Sequence, residues 1–184
     1  MKQSTPKGFR LHIGFFGRRN VGKSSLLNAI TRQNVSIVSE FAGTTTDPVE
    51  KPMELLPLGP VLFIDTAGLD DVGTLGGLRV NKTRQVFDRT DLGVLVTEAG
   101  SWGEYEDEIL RQLSEREIPL IVVFNKTDLN ATDPGLLERL RSQKIRSVET
   151  VAAEEKGILD FRQALLDSAP ADFINNPTDR KSVV

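Results

Sequence analysis

A glycine-rich turn between a short apolar run and a helical pattern constrains this chain more than any other feature. The apolar run is Leu11–Phe16, and the turn reads Gly17-Arg18-Arg19-Asn20-Val21-Gly22-Lys23-Ser24, followed by Ser25. This fits the pattern G-x-x-x-x-G-K-[ST] at a strand–helix junction, where backbone N–H groups and the helix dipole favour phosphate groups. The glycines allow the backbone to turn and to approach a ligand closely. The turn therefore predicts a nucleoside triphosphate site, with every residue from Gly17 to Ser25 in contact with the nucleotide.

Two positions in this turn and one at a second strand end predict a catalytic Mg²⁺ site. We expect Lys23 to reach the β- and γ-phosphates and the Ser24 hydroxyl to coordinate Mg²⁺. Asp65-Thr66-Ala67-Gly68 follows a second apolar run, so Asp65 is expected to hold a Mg²⁺-bound water. The Gly68 N–H is expected to meet the γ-phosphate. The next residue is Leu69, which cannot orient a water as the glutamine of Ras-type GTPases does, so another group must position the nucleophile.

A third motif predicts guanine as the base. Asn125-Lys126-Thr127-Asp128 follows the apolar run Leu120–Phe124 and fits N-K-x-D. The Asp128 carboxylate can accept hydrogen bonds from guanine N1–H and the 2-amino group, whereas adenine offers neither. Further along, Ala152 and Ala153 are expected to end the last strand, with a backbone N–H available to guanine O6. The three motifs together predict slow hydrolysis of GTP to GDP and phosphate.

Composition sets the limits of this interpretation. The 184 residues contain no cysteine and carry a formal charge of −3 from 23 basic and 26 acidic residues. We therefore expect no iron–sulfur cluster in this chain and no nucleic-acid partner. No apolar run is long enough for a membrane span, so we expect a cytoplasmic protein without a membrane partner. Residues 1–8 and 174–184 are predicted to be tails, the second of them a linker to domains absent from this chain, around a GTP-binding domain at 9–173.

Alternating apolar runs and helical patterns predict the fold class. Strands are expected at Leu11–Phe16, Pro48–Leu56, Val61–Asp65, Leu92–Thr97, Leu120–Asn125 and Ser147–Ala152. Helices are expected at Lys23–Arg32, Leu78–Asp88, Glu104–Glu117, Asp133–Gln143 and Ile158–Asp167. This order predicts a three-layer α/β P-loop NTPase of the Ras-like type, with about six mostly parallel strands covered by helices on both faces.

Three further groups of residues are interpreted as parts of the scaffold. His12, the single histidine, is expected to pack within the first strand. Trp102 and Tyr105 are expected to cover the start of a helix rather than stack on a base. Acidic residues in the first turn of that helix, Glu106 among them, suit a helix N-terminus and require no metal.

Two stretches of sequence resemble a known family. The glycine-rich turn and Ala42-Gly43-Thr44-Thr45-Thr46-Asp47-Pro48-Val49 are similar to the branch of GTPases containing Era and the tRNA-modification enzymes. Within it, the stretch 43–76 resembles the GTPase domain of the HydF family of FeFe-hydrogenase maturation proteins. The resemblance implies that the Thr45 hydroxyl joins Mg²⁺ in the GTP state. It also implies that Asn20 helps to bind a catalytic K⁺ beside the phosphates.

The resemblance also implies partners. For the HydF family these are the other domains of the full-length chain, the other maturation proteins, the hydrogenase itself and, as an open possibility, a second copy of the chain. In that family a dimerisation domain and a cluster-binding domain with Cys and His ligands follow the GTPase domain. Two alternatives stay open. One is a GTPase of the Era or tRNA-modification type acting on RNA or the ribosome, and the other is a module that binds GTP and rarely hydrolyses it.

Overall fold

The computed structural model describes residues 10–34, 49–66 and 84–174, and the structural statements below refer to these residues. The strands are β1 (Leu11–Phe16), β2 (Val49–Leu55), β3 (Gly59–Asp65), β4 (Leu92–Glu98), β5 (Leu120–Asn125) and β6 (Arg146–Glu149). The helices are α1 (Lys23–Asn34), α2 (84–89), α3 (Glu104–Glu115), α4 (Pro134–Ser142), α5 (Ile158–Ser168) and α6 (Ala171–Ile174). No helix in this part of the chain has the length and apolarity needed to cross a bilayer.

The six strands form one sheet in the order β2-β3-β1-β4-β5-β6. Only β2 and β3 run antiparallel, as a hairpin, and the remaining neighbours are parallel. Parallel neighbours require crossover connections, and the helices of these connections cover the sheet faces. The predicted six-stranded, mostly parallel P-loop architecture is therefore confirmed.

Side chains that alternate along the strands build two separate cores. Phe15 faces the side of α1 and α5 and makes edge contacts with Phe63 and Phe161, at centroid distances of 5.2 and 6.2 Å. Its neighbour Phe16 faces the opposite side and stacks on Phe87 of α2 at 4.8 Å. Successive strand residues point to opposite faces, so helices cover both sides of the sheet and hold the strand ends rigidly.

Several predicted boundaries differ from the structure, and the early ends of β6 and α3 have identifiable causes. Strand β6 stops at Glu149 instead of continuing to Ala152, and residues Ala152–Glu154 form a single 3₁₀ turn. Helix α3 stops at Glu115, because Glu117 adopts a left-handed φ of 56° and the Ile118 N–H bonds back to the carbonyl of Leu113. The loop from Asn34 to Asp47 and the start of the helix predicted at Leu78 lie largely outside the described residues.

The expected scaffold roles of the single histidine and the aromatic pair are confirmed. His12 is half-buried in β1, with Nδ1 3.0 Å from the carbonyl oxygen of Arg89. Trp102 packs against the core beneath α3 and donates a hydrogen bond from Nε1 to Asp107 at 2.8 Å. Tyr105 packs against the same cluster. These side chains therefore hold elements of the fold together.

Candidate nucleotide-binding site

The predicted motifs meet at the carboxyl edge of the sheet. In the strand register Asp65 of β3 lies beside Phe15 of β1, two residues before Gly17. Thr66 fastens this junction, since its N–H and its hydroxyl both donate to the Phe15 carbonyl, at 3.2 and 2.6 Å. Asn125 ends β5, two strands away from β1 and on the same edge. Ligands of open parallel sheets bind at this edge.

The phosphate loop, residues 17–24, requires glycine at both glycine positions of its motif. Gly17 has a φ of 155°, and a Cβ there would lie 2.4 Å from the carbonyl oxygen of Val96. Gly22 has a φ of 102°, and a Cβ there would lie 2.1 Å from Nδ2 of Asn125. Any side chain at either position would push the loop away from the strands behind it. The glycines therefore let the loop lie close against β4 and the end of β5.

Helix α1 begins at the end of this loop. It runs for 12 residues with no acidic side chain in its first turn, so its partial positive charge is available to an anion. Lys23, its first residue, is 6% exposed, and its Nζ donates to the Gly17 carbonyl. Arg18, Arg19, Ser24 and Ser25 are exposed, whereas Val21 is buried. The turn therefore combines N–H groups, a helix dipole and a cation in the way a triphosphate requires.

The residues expected to hold metal ions fit their ions chemically. Ser24 offers an exposed hydroxyl and Asp65 a carboxylate at the end of β3, and both are the hard oxygen donors that Mg²⁺ prefers. The Asn20 side chain is exposed, and its backbone holds a left-handed φ of 66°. Thr45 and Gly68, expected to complete the γ-phosphate contacts, lie outside the described residues, as does Leu69.

Asn125 connects the two guanine loops, residues 125–128 and 150–153, to the phosphate loop, and its side chain is buried. It is 2% exposed, and its Nδ2 donates to the Val21 carbonyl at 2.9 Å. Its Oδ1 accepts two hydrogen bonds at 3.0 Å, from the Thr150 hydroxyl and from the Ala152 N–H. The side chain therefore joins three segments far apart in the sequence. Sequence reasoning expected a nucleotide contact from Asn125 and missed this bracing role.

Lys126 makes a second link between the same loops. Its Nζ donates to the Asn20 carbonyl at 2.7 Å and pairs with Glu98 at the end of β4. Both Asn20 and Lys126 have left-handed backbones, with φ of 66° and 59°. Such conformations cost energy in residues other than glycine and persist where the surroundings fix them. Glu98 was not identified from the sequence, because no local pattern separates it from an ordinary strand-end acid.

Asp128 stands apart from this bracing and is exposed. Lys156, across the loop, has a raised pKa, chiefly because Nζ donates to Glu154 at 2.9 Å, with a smaller contribution from the charge of Asp128. Of the four N-K-x-D positions, the aspartate is the one that is exposed.

Ala152 and Ala153 differ in burial and in hydrogen bonding. Ala152 is buried, and its N–H is taken by Asn125. Ala153 is exposed in the 3₁₀ turn, and no protein acceptor within the described residues takes its N–H. The prediction that both alanines end a strand was wrong, because the hydrogen bonds from Thr150 and Ala152 to Asn125 bend the chain out of the sheet. A guanine contact from Ala153 stays a prediction, and Ala152 contributes by positioning the turn.

Comparison with known proteins identifies a matching family and several relatives of this chain. The family model described as "50S ribosome-binding GTPase" matches residues 12–126, more than half of the chain. The GTPase Der of Campylobacter hominis is 34% identical over 140 residues, 74% of this chain and 30% of that protein. The tRNA modification GTPase MnmE of Trichormus variabilis is 38% identical over 164 residues, 85% of this chain and 34% of that protein.

A solved structure extends the comparison to the fold. Era from Aquifex aeolicus, as a variant bound to GDP and AlF4⁻, matches with a TM-score of 0.68 at 25% identity, over 86% of this chain and 56% of that one. The chain spans about a third of the length of the curated relatives described above. It belongs to the family of 50S ribosome-binding GTPases, as a GTP-binding and GTP-hydrolysing domain related to Der, MnmE and Era.

Proposed function

We propose that the chain is the GTP-driven switch domain of a larger protein, with the residue roles predicted from the three motifs. The observation that carries this proposal is the double link from Asn125 and Lys126 to the carbonyls of Val21 and Asn20. The guanine loops and the phosphate loop are thereby held at a fixed separation, as a nucleotide spanning both would require. In this proposal Asp128 and Ala153 read guanine, and Lys23 with the turn 17–25 binds the phosphates.

Mg²⁺ is the metal that the donor set favours. When bound it would neutralise charge on the β- and γ-phosphates, and Ser24, Asp65 and Thr45 are the residues proposed to hold it. Thr45 and the Gly68 N–H belong to the proposal through the family resemblance and the motif, since neither lies within the described residues. Their release after hydrolysis is the proposed switch.

K⁺ is the proposed second ion, with Asn20 as its side-chain ligand. A neutral amide oxygen suits a large, weakly hydrated ion better than a second Mg²⁺, which keeps its waters and demands octahedral geometry. The Lys126 contact holds the Asn20 backbone in its left-handed conformation and leaves the side chain exposed. An ion there would balance charge that an arginine finger balances in other GTPases.

Turnover measured in K⁺ and Na⁺ at equal ionic strength tests this role. We expect a rate about tenfold higher in K⁺, equivalent to roughly 1.4 kcal/mol of barrier. Asn20→Ala is expected to remove most of that gain and to leave GTP binding within about threefold. Asn28→Ala, at an exposed helical position of α1, is the matched control and should keep the K⁺ response. Equal rates in the two salts for the unaltered protein would refute the K⁺ role.

For the partner, the comparisons favour RNA over hydrogenase maturation. One relative reported above, MnmE, is named for tRNA modification, and the family is named for the 50S ribosome, so we propose a protein of the Era or tRNA-modification type acting on RNA. The net charge of −3 argues against RNA contacts by this domain itself, and the contacts are therefore assigned to parts of the protein beyond it. The HydF interpretation is the second candidate, and it is carried by the resemblance of residues 43–76.

One experiment separates the two candidates. The complete gene product is tested for stimulation of GTP turnover by ribosomal subunits and by tRNA, with a charge-matched polyanion as the control. Stimulation by one RNA species and not by the polyanion supports the RNA role. Binding of an iron–sulfur cluster by cysteines outside these residues, together with no response to RNA, would establish the HydF interpretation instead.

A further inference from the structure

The Glu106 carboxylate of helix α3 contacts Arg18 of the phosphate loop, 88 residues earlier in the sequence. The Glu106 side chain is 0% exposed, whereas that of Arg18 is 47% exposed. Arg18 Nη2 donates to Glu106 Oε2 at 3.1 Å, and Arg18 Nε lies 3.0 Å from Oε1, an ion-pair contact without hydrogen-bond geometry. The Tyr105 ring centroid lies 5.6 Å from Arg18 Cζ. A fully buried carboxylate is unfavourable unless it is paired, so this contact constrains Arg18 strongly.

The peptide that joins Gly17 to Arg18 connects this ion pair to the phosphate site. Its carbonyl oxygen, that of Gly17, accepts the hydrogen bond from Lys23 Nζ. A peptide unit is planar and includes the Cα of the following residue, so the Gly17 oxygen and the Arg18 Cα move together. Holding the Arg18 side chain against α3 limits rotation of that plane and fixes where Lys23 Nζ can sit.

We propose that Glu106 is a positioning residue for GTP hydrolysis, acting through Arg18 and the Gly17 carbonyl on the Lys23 ammonium group. The inference rests on the proposed role of Lys23 at the β- and γ-phosphates. GDP lacks the γ-phosphate, so a displaced Lys23 weakens GTP binding more than GDP binding and lowers the rate. Disruption of α3 alone would instead lower stability without changing the preference between the two nucleotides.

The two contacts of Glu106 allow its local role to be separated from the positioning role. Oε2 also accepts from the Gly103 N–H at 2.9 Å, which caps α3. Glutamine at this position can keep the cap, as in capping boxes. It removes the negative charge facing Arg18 and replaces the oxygen beside Arg18 Nε with an amide NH2, which cannot accept a hydrogen bond. Glu106→Gln is therefore the informative substitution. Glu108→Gln is the matched control, because Glu108 lies two residues further along α3 and pairs with Arg111 at the surface.

The experiment measures turnover, melting temperature and affinities for GDP and a non-hydrolysable GTP analogue. For Glu106→Gln we expect kcat to fall roughly fivefold to tenfold. The affinity for the GTP analogue should fall by about the same factor, while GDP affinity stays within about twofold. Glu108→Gln should match the unaltered protein in every parameter. If Glu106→Gln keeps the original rate and the original ratio of the two affinities, the inference is refuted.

Substitution of Arg18, the exposed partner of Glu106, tests the same connection. Arg18→Gln and the double variant Arg18→Gln with Glu106→Gln complete a double-mutant cycle. If Glu106 acts through Arg18, the double variant should turn over GTP no more slowly than Arg18→Gln alone. Independent, multiplying effects would mean that Glu106 does not act through Arg18, and would overturn the proposal even if Glu106→Gln folded poorly. Turnover of Lys23→Ala at the original rate would instead refute the proposed role of Lys23 on which the inference rests, so the two failures are distinguishable.

Discussion

At the phosphate end of the site two glycines set the path of the backbone, whereas at the guanine end the side chains of Asn125 and Lys126 connect the loops. The phosphate loop depends on two glycines whose Cβ atoms would collide with Val96 and Asn125. The guanine loops depend on Asn125, with three hydrogen bonds, and on Lys126, with two partners. Substitutions of the predicted ligand side chains at the phosphate end should therefore change chemistry with little loss of stability. Those at Asn125 and Lys126, which form the guanine frame, should change both.

Lys23→Ala should have the largest effect on activity. Removing the cation expected at the β- and γ-phosphates should lower kcat on the order of 10²- to 10³-fold, as measured by phosphate release at saturating GTP. Lys144→Asn removes one positive charge at an exposed position with a left-handed φ of 59°, which asparagine tolerates, and serves as the control. Turnover of Lys23→Ala at the original rate would show that the phosphates bind elsewhere.

Asp128→Asn should change nucleotide preference while leaving the fold intact. Asparagine can donate a hydrogen bond to the oxygen that xanthine carries in place of the guanine amino group. The ratio of GTP to xanthosine triphosphate affinity should fall by about 10²-fold or more, as measured by competition binding. Asp133→Asn is the matched control, since Asp133 caps α4 through the Gly135 N–H and asparagine caps equally well. An unchanged preference would remove Asp128 from the base-reading role.

Asn125→Ala should reduce stability and nucleotide binding together. It leaves the Val21 carbonyl, the Thr150 hydroxyl and the Ala152 N–H without their partner in a buried setting. Unpaired buried groups of this kind should lower the free energy of unfolding by about 2–4 kcal/mol, equivalent to roughly 5–15 °C in Tm. Asn130→Ala, at an exposed site, should change Tm by about 1 °C or less. If both substitutions had the same small effect, the guanine frame would not be the stabilising element inferred here.

Local sequence patterns predicted the strands and motifs of the site but not the contacts between residues far apart in the sequence. Strands β1 and β5 were predicted with their observed bounds, since short apolar runs that end in motif residues carry their own signal. The early end of β6 was not predicted, because it depends on Asn125, 25 residues before Thr150. Glu106 was interpreted as a helix N-terminal acid, which it is, but its ion pair with Arg18 comes from tertiary packing that no local pattern records.

The smallest effect should come from Glu98→Gln, which tests whether Lys126 is held by charge or by geometry. The Lys126 and Glu98 side chains are 34% and 33% exposed, and ion pairs so open to water contribute little. Glutamine keeps an oxygen that Lys126 Nζ can reach, and the hydrogen bond from Nζ to the Asn20 carbonyl is untouched. We therefore expect GDP affinity to weaken by about threefold or less. Lys126→Met, by contrast, keeps the length of the stem and removes both contacts, and it should weaken GDP binding by at least about tenfold. Near-equal losses of GDP affinity in the two variants would mean that the charge of Glu98 holds Lys126 in place. Glu98 would then be an essential part of the guanine frame.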